Sequence, residues 1–226
     1  MSVIAKWPYL VTLPTCTLYI KPFGATNGAT FFDWCPNPKA VTASGGVVNS
    51  TTRDKFGPCS IYFDGNGDYL TLADSSVLNV NSSAFTLSFW YYPTNVNAIH
   101  RLLSKRDNAS TGNGWEVTAG SSGQLTVQGS GLSSGSFSSA NGVLTATTWQ
   151  HIAIISDGSS YTKSYVNGTE VGTTNSYINA TYANTLYIGA GTSTPYYIDG
   201  YLDEIALWKG KAIPIALLYP QTRRFM

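Results

Sequence analysis

A chain of 226 residues that is 43% hydrophobic, with 15 Tyr and 6 Trp, can build one large core, and at 11% charged it is far from the composition of a disordered segment. Its 13 basic and 12 acidic residues leave a formal charge of +1 and no basic stripe, so a nucleic-acid footprint is excluded. No apolar run reaches the roughly 18 residues of a membrane span, and the start, MSVIAKWPYLVTLP, lacks the apolar segment and cleavage site of a secretory signal.

Residues 1–14 carry Pro8 and Pro14 and read as an extended N-terminal arm. Trp7, Tyr9, Leu10 and Val11 make this arm either an anchor for a partner or an unstructured terminus. Alternation in CTLYIKPF predicts a first strand within Thr15 to Phe23, and short strands follow near Thr30 to Phe32 and Ala40 to Thr42. Cys16, Cys35 and Cys59 are odd in number and lack CxxC spacing, so buried thiols are expected rather than a disulfide framework or a zinc site.

Two short strands flank the turn Asp64-Gly65-Asn66-Gly67, where Asp64 and Asp68 read as turn formers. In AFTLSFWYYP, period two sends Phe85, Leu87, Phe89 and Tyr91 to one face and Thr86, Ser88, Trp90 and Tyr92 to the other. The first set reads as core. Two aromatics on a face of Thr and Ser call for either a covering loop or strand, or a ligand platform.

Further strands are predicted over 99–107, in WEVTAG and in QLTVQGS, while the Ser- and Gly-rich tract 129–139 reads as a loop. Trp149 to Gly172 spells a three-strand meander, closed by the turn dipeptides Asp157-Gly158 and Asn167-Gly168. His151 lies inside its first strand as a packed or hydrogen-bonded sheet residue, far in sequence from His100. Residues 184–190 and Ile198 to Trp208 supply the last strands, and Pro214 and Pro220 leave room for at most one helical turn. Strands this regularly spaced, with Gly turns, make the fold class all-β, a sandwich or barrel. The domain is expected over 15–213, with 214–226 as a C-terminal tail.

Four blocks, KFGPCSIYFDGNGDYLTL, AFTLSFWYYP, TWQHIAIISDGSSYTKSYVNGTEV and IGAGTSTPYYIDGYLDEIALWKG, resemble the concanavalin A-like lectin/glucanase superfamily in its laminin-G-like, pentraxin-related branch. The resemblance implies a two-sheet antiparallel β-sandwich, a jelly roll of a dozen or so strands. DKFG before a short strand, FDGNGDYL after it, and LDEIALWKGKA near the end are similar to domains on bacteriophage virion surface proteins.

Glucanase members set two Glu and an Asp on alternate positions of one strand, since retaining hydrolysis needs carboxyl groups about 5 Å apart. Here Glu116, Glu170 and Glu204 form no such pattern, and adjacent Asp203 and Glu204 are expected on opposite sides of a strand. No nucleophile elbow or phosphate loop is present, so no enzyme is expected. The resemblance also implies a structural calcium ion held by Asp203 and a carbonyl of Gly65; the other account of Asp203 is a turn hydrogen bond. Relatives bind sugars at an edge or on the concave sheet, and the aromatics on strands for such a role are Trp90, Tyr92, Trp115 and Tyr165. Five N-glycosylation sequons fit chance in an Asn/Ser/Thr-rich surface.

The expected function is that of a non-enzymatic bacteriophage virion protein, a capsid decoration or tail fibre component, with a lectin-like domain that meets host-surface glycans. The alternative is a free, calcium-dependent lectin. Expected partners are other virion proteins and host-surface carbohydrate, with Trp7, Tyr9 and Leu10 in the attaching arm and assembly as a homo-oligomer or on a particle. The expected location is the virion surface, after synthesis in the host cytoplasm without a signal peptide.

Overall fold

Strict alternation makes Phe85–Pro93 a nine-residue strand whose Phe85, Leu87, Phe89 and Tyr91 all enter the main hydrophobic core. Each such side chain, fully buried, stabilises the fold by about 1.5–3 kcal/mol. In this computed structural model, which describes residues 16–107, 113–192 and 196–219, that strand lies near the middle of one of two packed sheets.

Eight strands form the first sheet: β1 (Leu18–Ile20), β3 (Val48–Ser50), β4 (Ser60–Asp64), β6 (Phe85–Pro93), β11 (Gln150–Ser156), β12 (Thr162–Val166), β13 (Thr169–Thr174) and β15 (Asp199–Lys209). Seven form the second: β2 (Thr42–Ser44), β5 (Tyr69–Leu72), β7 (His100–Arg106), β8 (Gly114–Ala119), β9 (Leu125–Gly129), β10 (Ser136–Ser138) and β14 (Leu186–Ile188). The spatial orders are β13-β12-β11-β6-β15-β4-β3, with β1 on β15, and β10-β9-β8-β7-β14-β5-β2. All pairings are antiparallel. The architecture is the expected two-sheet sandwich, with the core between the sheets.

The meander forms β11, β12 and β13 as read from sequence. Asn167 and Gly168 both take positive φ, at 50° and 78°, the geometry that a two-residue primed turn demands. A side chain at Gly168 would also meet the Tyr219 ring at 2.6 Å. That ring packs on Trp90 and His151, next in sequence to Leu218 of a second apolar layer on the outer face of the eight-stranded sheet, where Tyr19, Cys35, Ala153, Ile155, Ala206, Trp208, Ile213 and Leu218 cluster. The single helical turn α1 (Ile215–Leu218) lies in this layer, and Leu218 is buried. Ile215, Leu218 and Tyr219, at the start of the expected tail, pack onto the sandwich.

Three expectations need correction. Cys16 and Cys35 are not free thiols: they form a disulfide with Cα atoms 5.8 Å apart, and Cys59 remains a buried thiol. An Ile20–Asp33 bridge and the Trp34 N–H to Tyr19 carbonyl bond fold residues 31–35 back along β1, which brings the two cysteines together. The Ser/Gly tract is not all loop: Ser136–Ser138 pairs with β9, and Gly129 lets Ile178 approach so closely that a Cβ would sit 2.9 Å from it. Asp203 and Glu204 do not point to opposite sides. A register shift between Asp203 and Ala206, with Glu204 at φ 55°, adds a residue to β15. Glu204 then meets the Tyr19 hydroxyl at 2.5 Å, on the same outer face where Asp203 stands opposite Trp90.

Candidate functional site

On the outer face of the seven-stranded sheet, the register places polar side chains side by side on consecutive strands. Thr42, Thr71 and Tyr187 pair across β2, β5 and β14, and Tyr187 faces Ser104 of β7. Ser104 pairs with Glu116, Glu116 with Gln128, and Gln128 with Ser136. Neighbouring strands lie about 4.8 Å apart, so this row runs about 29 Å across the whole sheet. A second row, Arg101, Thr118, Thr126 and Ser138, runs beside it.

The floor of the face is charged and held in place. Glu116, 3% exposed, accepts the Ser104 hydroxyl at 2.9 Å and pairs with Arg101 Nε at 3.0 Å. Such a pair adds little net stability, yet removing one partner of a buried pair costs about 3–5 kcal/mol, so the groups stay fixed. Arg101 reaches this position through a bulge: a register shift between Arg101 and Leu103 lets Leu102 and Leu103 both enter the core and turns Arg101 outward. Its guanidinium also lies 5.2 Å from the Tyr196 ring centre, and Gly191 leaves room for it, since a Cβ there would sit 2.5 Å from Arg101 Cδ. Beside it, Arg106 hydrogen-bonds Gln128.

Aromatic rings complete the face at the β5 and β14 side. Tyr69 lies 5.7 Å from Tyr187 and 6.4 Å, nearly parallel, from Tyr197. All three are half-buried, and Tyr196 beyond them is exposed. Rings that stand partly free beside a dense set of hydroxyl, amide and carboxylate groups are what a sugar requires: an apolar face for the pyranose and polar partners for its hydroxyls.

The residues expected to bind ligand are placed elsewhere. Trp115 points from β8 into the main core at 4% exposure, and Trp90, also 4% exposed, lies on the outer face of the other sheet. The covering account of Trp90 holds: the Lys55 ammonium sits 3.9 Å from its ring centre, and Phe56, His151 and Tyr219 pack around it. Tyr165 packs at the rim of the same apolar layer. Tyr92 belongs to an aromatic ladder, Tyr62, Tyr201, Tyr92 and Trp149, with centroid spacings of 4.9, 5.7 and 5.6 Å. Two of its three ring contacts are edge-on, so the ladder packs mainly on itself and presents no flat platform. The four aromatics therefore do not form one site. The arm residues Trp7, Tyr9 and Leu10 lie outside the described residues.

The two residues expected to hold calcium do not come together. Asp199 pairs with Asp64, which puts Gly65 against Asp199, and Asp203 is four residues further along β15, about 13 Å away. The Asp203 carboxylate accepts the Phe56 and Glu204 amides at 3.3 and 2.9 Å, the hydrogen-bonding account of this residue. Among the described residues, no group of three or more His, Cys, Asp or Glu is arranged to hold a metal ion. Asp64 and Asp68 act as turn acceptors, for the amides of Asn66 and Asp64.

A Ser-His contact does exist: Ser88 Oγ lies 2.8 Å from His151 Nε2. His151 is fully buried, and its Nδ1 has no hydrogen-bond partner among the described residues, so no third group orients the ring. Burial, reinforced by the Lys55 charge, pushes the imidazole down to about 4. The pair is a packed, neutral element of the covered face, out of a substrate's reach.

A laminin-G-like profile of the concanavalin A-like lectin/glucanases superfamily matches residues 64–213. The chain belongs to that superfamily. No curated protein matches it. Among solved structures it is similar to the binding domain of Paraclostridial Mosquitocidal Protein 1, with a TM-score of 0.68 at 15% identity over 90% of this chain and 51% of that one. It is also similar to the receptor binding domain of botulinum neurotoxin D, with a TM-score of 0.64 at 11% identity over 90% and 51% of the two chains. For the botulinum neurotoxin type G receptor binding domain the TM-score is 0.64 at 12% identity, over 91% and 51%. The chain thus spans about half the length of these chains, and at such identities the likeness is one of fold.

Proposed function

We propose that this domain is a non-enzymatic glycan-binding module, a receptor-binding lectin whose ligand lies along the outer face of the seven-stranded sheet. The observation that carries this is the polar row from Thr42 to Ser136, floored by the fixed Glu116–Arg101–Ser104 group and flanked by Tyr69, Tyr187 and Tyr197. Membership of a lectin and glucanase superfamily, and a fold shared with receptor binding domains, favour the same role. The virion surface expected from the sequence blocks is a narrower form of this proposal. The Cys16–Cys35 disulfide supports a working place outside a reducing cytosol, as a displayed domain would have.

The test is a glycan array followed by calorimetry on the best ligand. Tyr187→Ala is expected to weaken binding by about 1–3 kcal/mol, the scale set by truncating one well-placed ring at a binding surface, while Tyr92→Ala on the opposite face leaves affinity unchanged. Weakening by Tyr92→Ala with none by Tyr187→Ala would move the site to the aromatic ladder, and an empty array would sink the glycan role altogether.

A further inference from the structure

A second surface, unrelated to the polar row, is built from the segment that follows β1. Phe23, Phe32 and Trp34 are 59%, 49% and 43% exposed, three of the most exposed large apolar side chains among the described residues. They form one cluster, with Trp34 in edge contact with Phe23 at 5.6 Å and with Phe32 at 6.2 Å. Exposed aromatics gathered into a patch are unfavourable in water and mark a surface that meets something.

The patch is rigid before it meets anything. Phe31, Asp33 and Cys35 alternate inward while Phe32 and Trp34 alternate outward. The Asp33 carboxylate, 5% exposed, accepts the amides of Tyr19, Cys35 and Lys39, and the disulfide ties Cys35 to Cys16. The rings are thus held out from a fixed backbone, and ordering them on contact costs little entropy.

Size, charge and ring geometry choose the partner. Aromatic side chains of 150–250 Å² each, about half exposed, give a patch of roughly 300 Å², well short of the roughly 800 Å² per partner that a stable protein dimer buries. The Lys21 ammonium sits 4.6 Å from the Trp34 ring centre, so one face of that ring already holds a cation. The segment's own carboxylate, Asp33, is turned inward. What remains is a small wedge of Trp and Phe edges beside a lysine, the composition that partitions into the headgroup region of a lipid surface.

We propose that Phe23, Phe32, Trp34 and Lys21 form a contact site for an anionic lipid surface, reversible and additional to glycan binding. Cosedimentation of the whole chain with vesicles of phosphatidylcholine alone and with added phosphatidylserine tests it. Binding is expected to the mixed vesicles, weaker at higher salt. The exposed-residue pair Phe32→Ser with Trp34→Ser should lower the partition coefficient about tenfold or more, with circular dichroism unchanged. Lys21→Glu should lower it about fivefold on the anionic vesicles alone. The proposal is overturned if neither vesicle is bound, if the variants bind as the natural chain does, or if the Ser variants instead abolish self-association or glycan binding.

Discussion

His151 shows how a single buried side chain couples the fold to pH. Its imidazole lies under Trp90 and Tyr219, with Ser88 on Nε2 and the Lys55 charge nearby, and titrates at about 4 in the folded chain against about 6.5 unfolded. The unfolded chain therefore binds the extra proton first, so stability is complete above pH 6.5 and declines as pH falls toward 4. The difference amounts to about 3 kcal/mol. Burial also lowers the His100 imidazole, so both histidines act in the same direction. Urea unfolding of the natural chain and of His151→Gln between pH 4 and 7 should give a clearly flatter curve for the variant. Equal slopes would mean that His151 is hydrated and the cover over it open. Period two in AFTLSFWYYP sent Ser88 and Trp90 outward, and WQHIAII marked His151 as a packed sheet residue, so this environment was partly legible. Its lid was not, because Tyr219 is brought to it from 68 residues away by a segment whose prolines obscured its packing.

At the scale of elements, alternation read the interior of strands well and bulges not at all. One extra residue inverts the faces on one side of it, and no local composition announces it. In β15 this put Asp203 and Glu204 on one face; in β7 it put Arg101 outside and both leucines of Arg101-Leu102-Leu103 inside. Two adjacent leucines after an arginine, in an otherwise alternating stretch, were the signal available for the second case. The Cys16–Cys35 link escaped for a related reason, since spacing rules look for short motifs and this pair is joined by a backbone bridge between Ile20 and Asp33. Closing a loop of sequence separation 19 restricts the unfolded chain by about 3 kcal/mol. A reductant, or the double change Cys16→Ala with Cys35→Ala, should lower unfolding stability by about that amount. The double variant should then be indifferent to reductant, because its remaining cysteine, Cys59, is already a buried thiol. Continued sensitivity in the double variant would show that another sulfur contact matters.

Across the whole molecule the two sheets present different outer faces. Part of the outer face of the eight-stranded sheet is covered by an apolar layer that includes Ile213, Trp208 and Leu218, beside the half-buried aromatic ladder, whereas the outer face of the seven-stranded sheet carries half-buried polar and tyrosyl side chains. Between them lies a core about 10 Å thick, which is far enough for changes on opposite faces to act independently. Leu218→Ala should therefore lower unfolding stability by about 2–4 kcal/mol, since Leu218 is 1% exposed and leaves a cavity. It should leave glycan affinity unchanged. Tyr187→Ala, on a half-buried ring, should do the reverse, with a small effect on stability and a large one on affinity. In the double variant the stability changes should add to within about 0.5 kcal/mol. Coupling well above that would mean that the closed face and the open face communicate through the core. The closed layer, α1 included, would then have to be counted as part of the binding apparatus, and not only as its support.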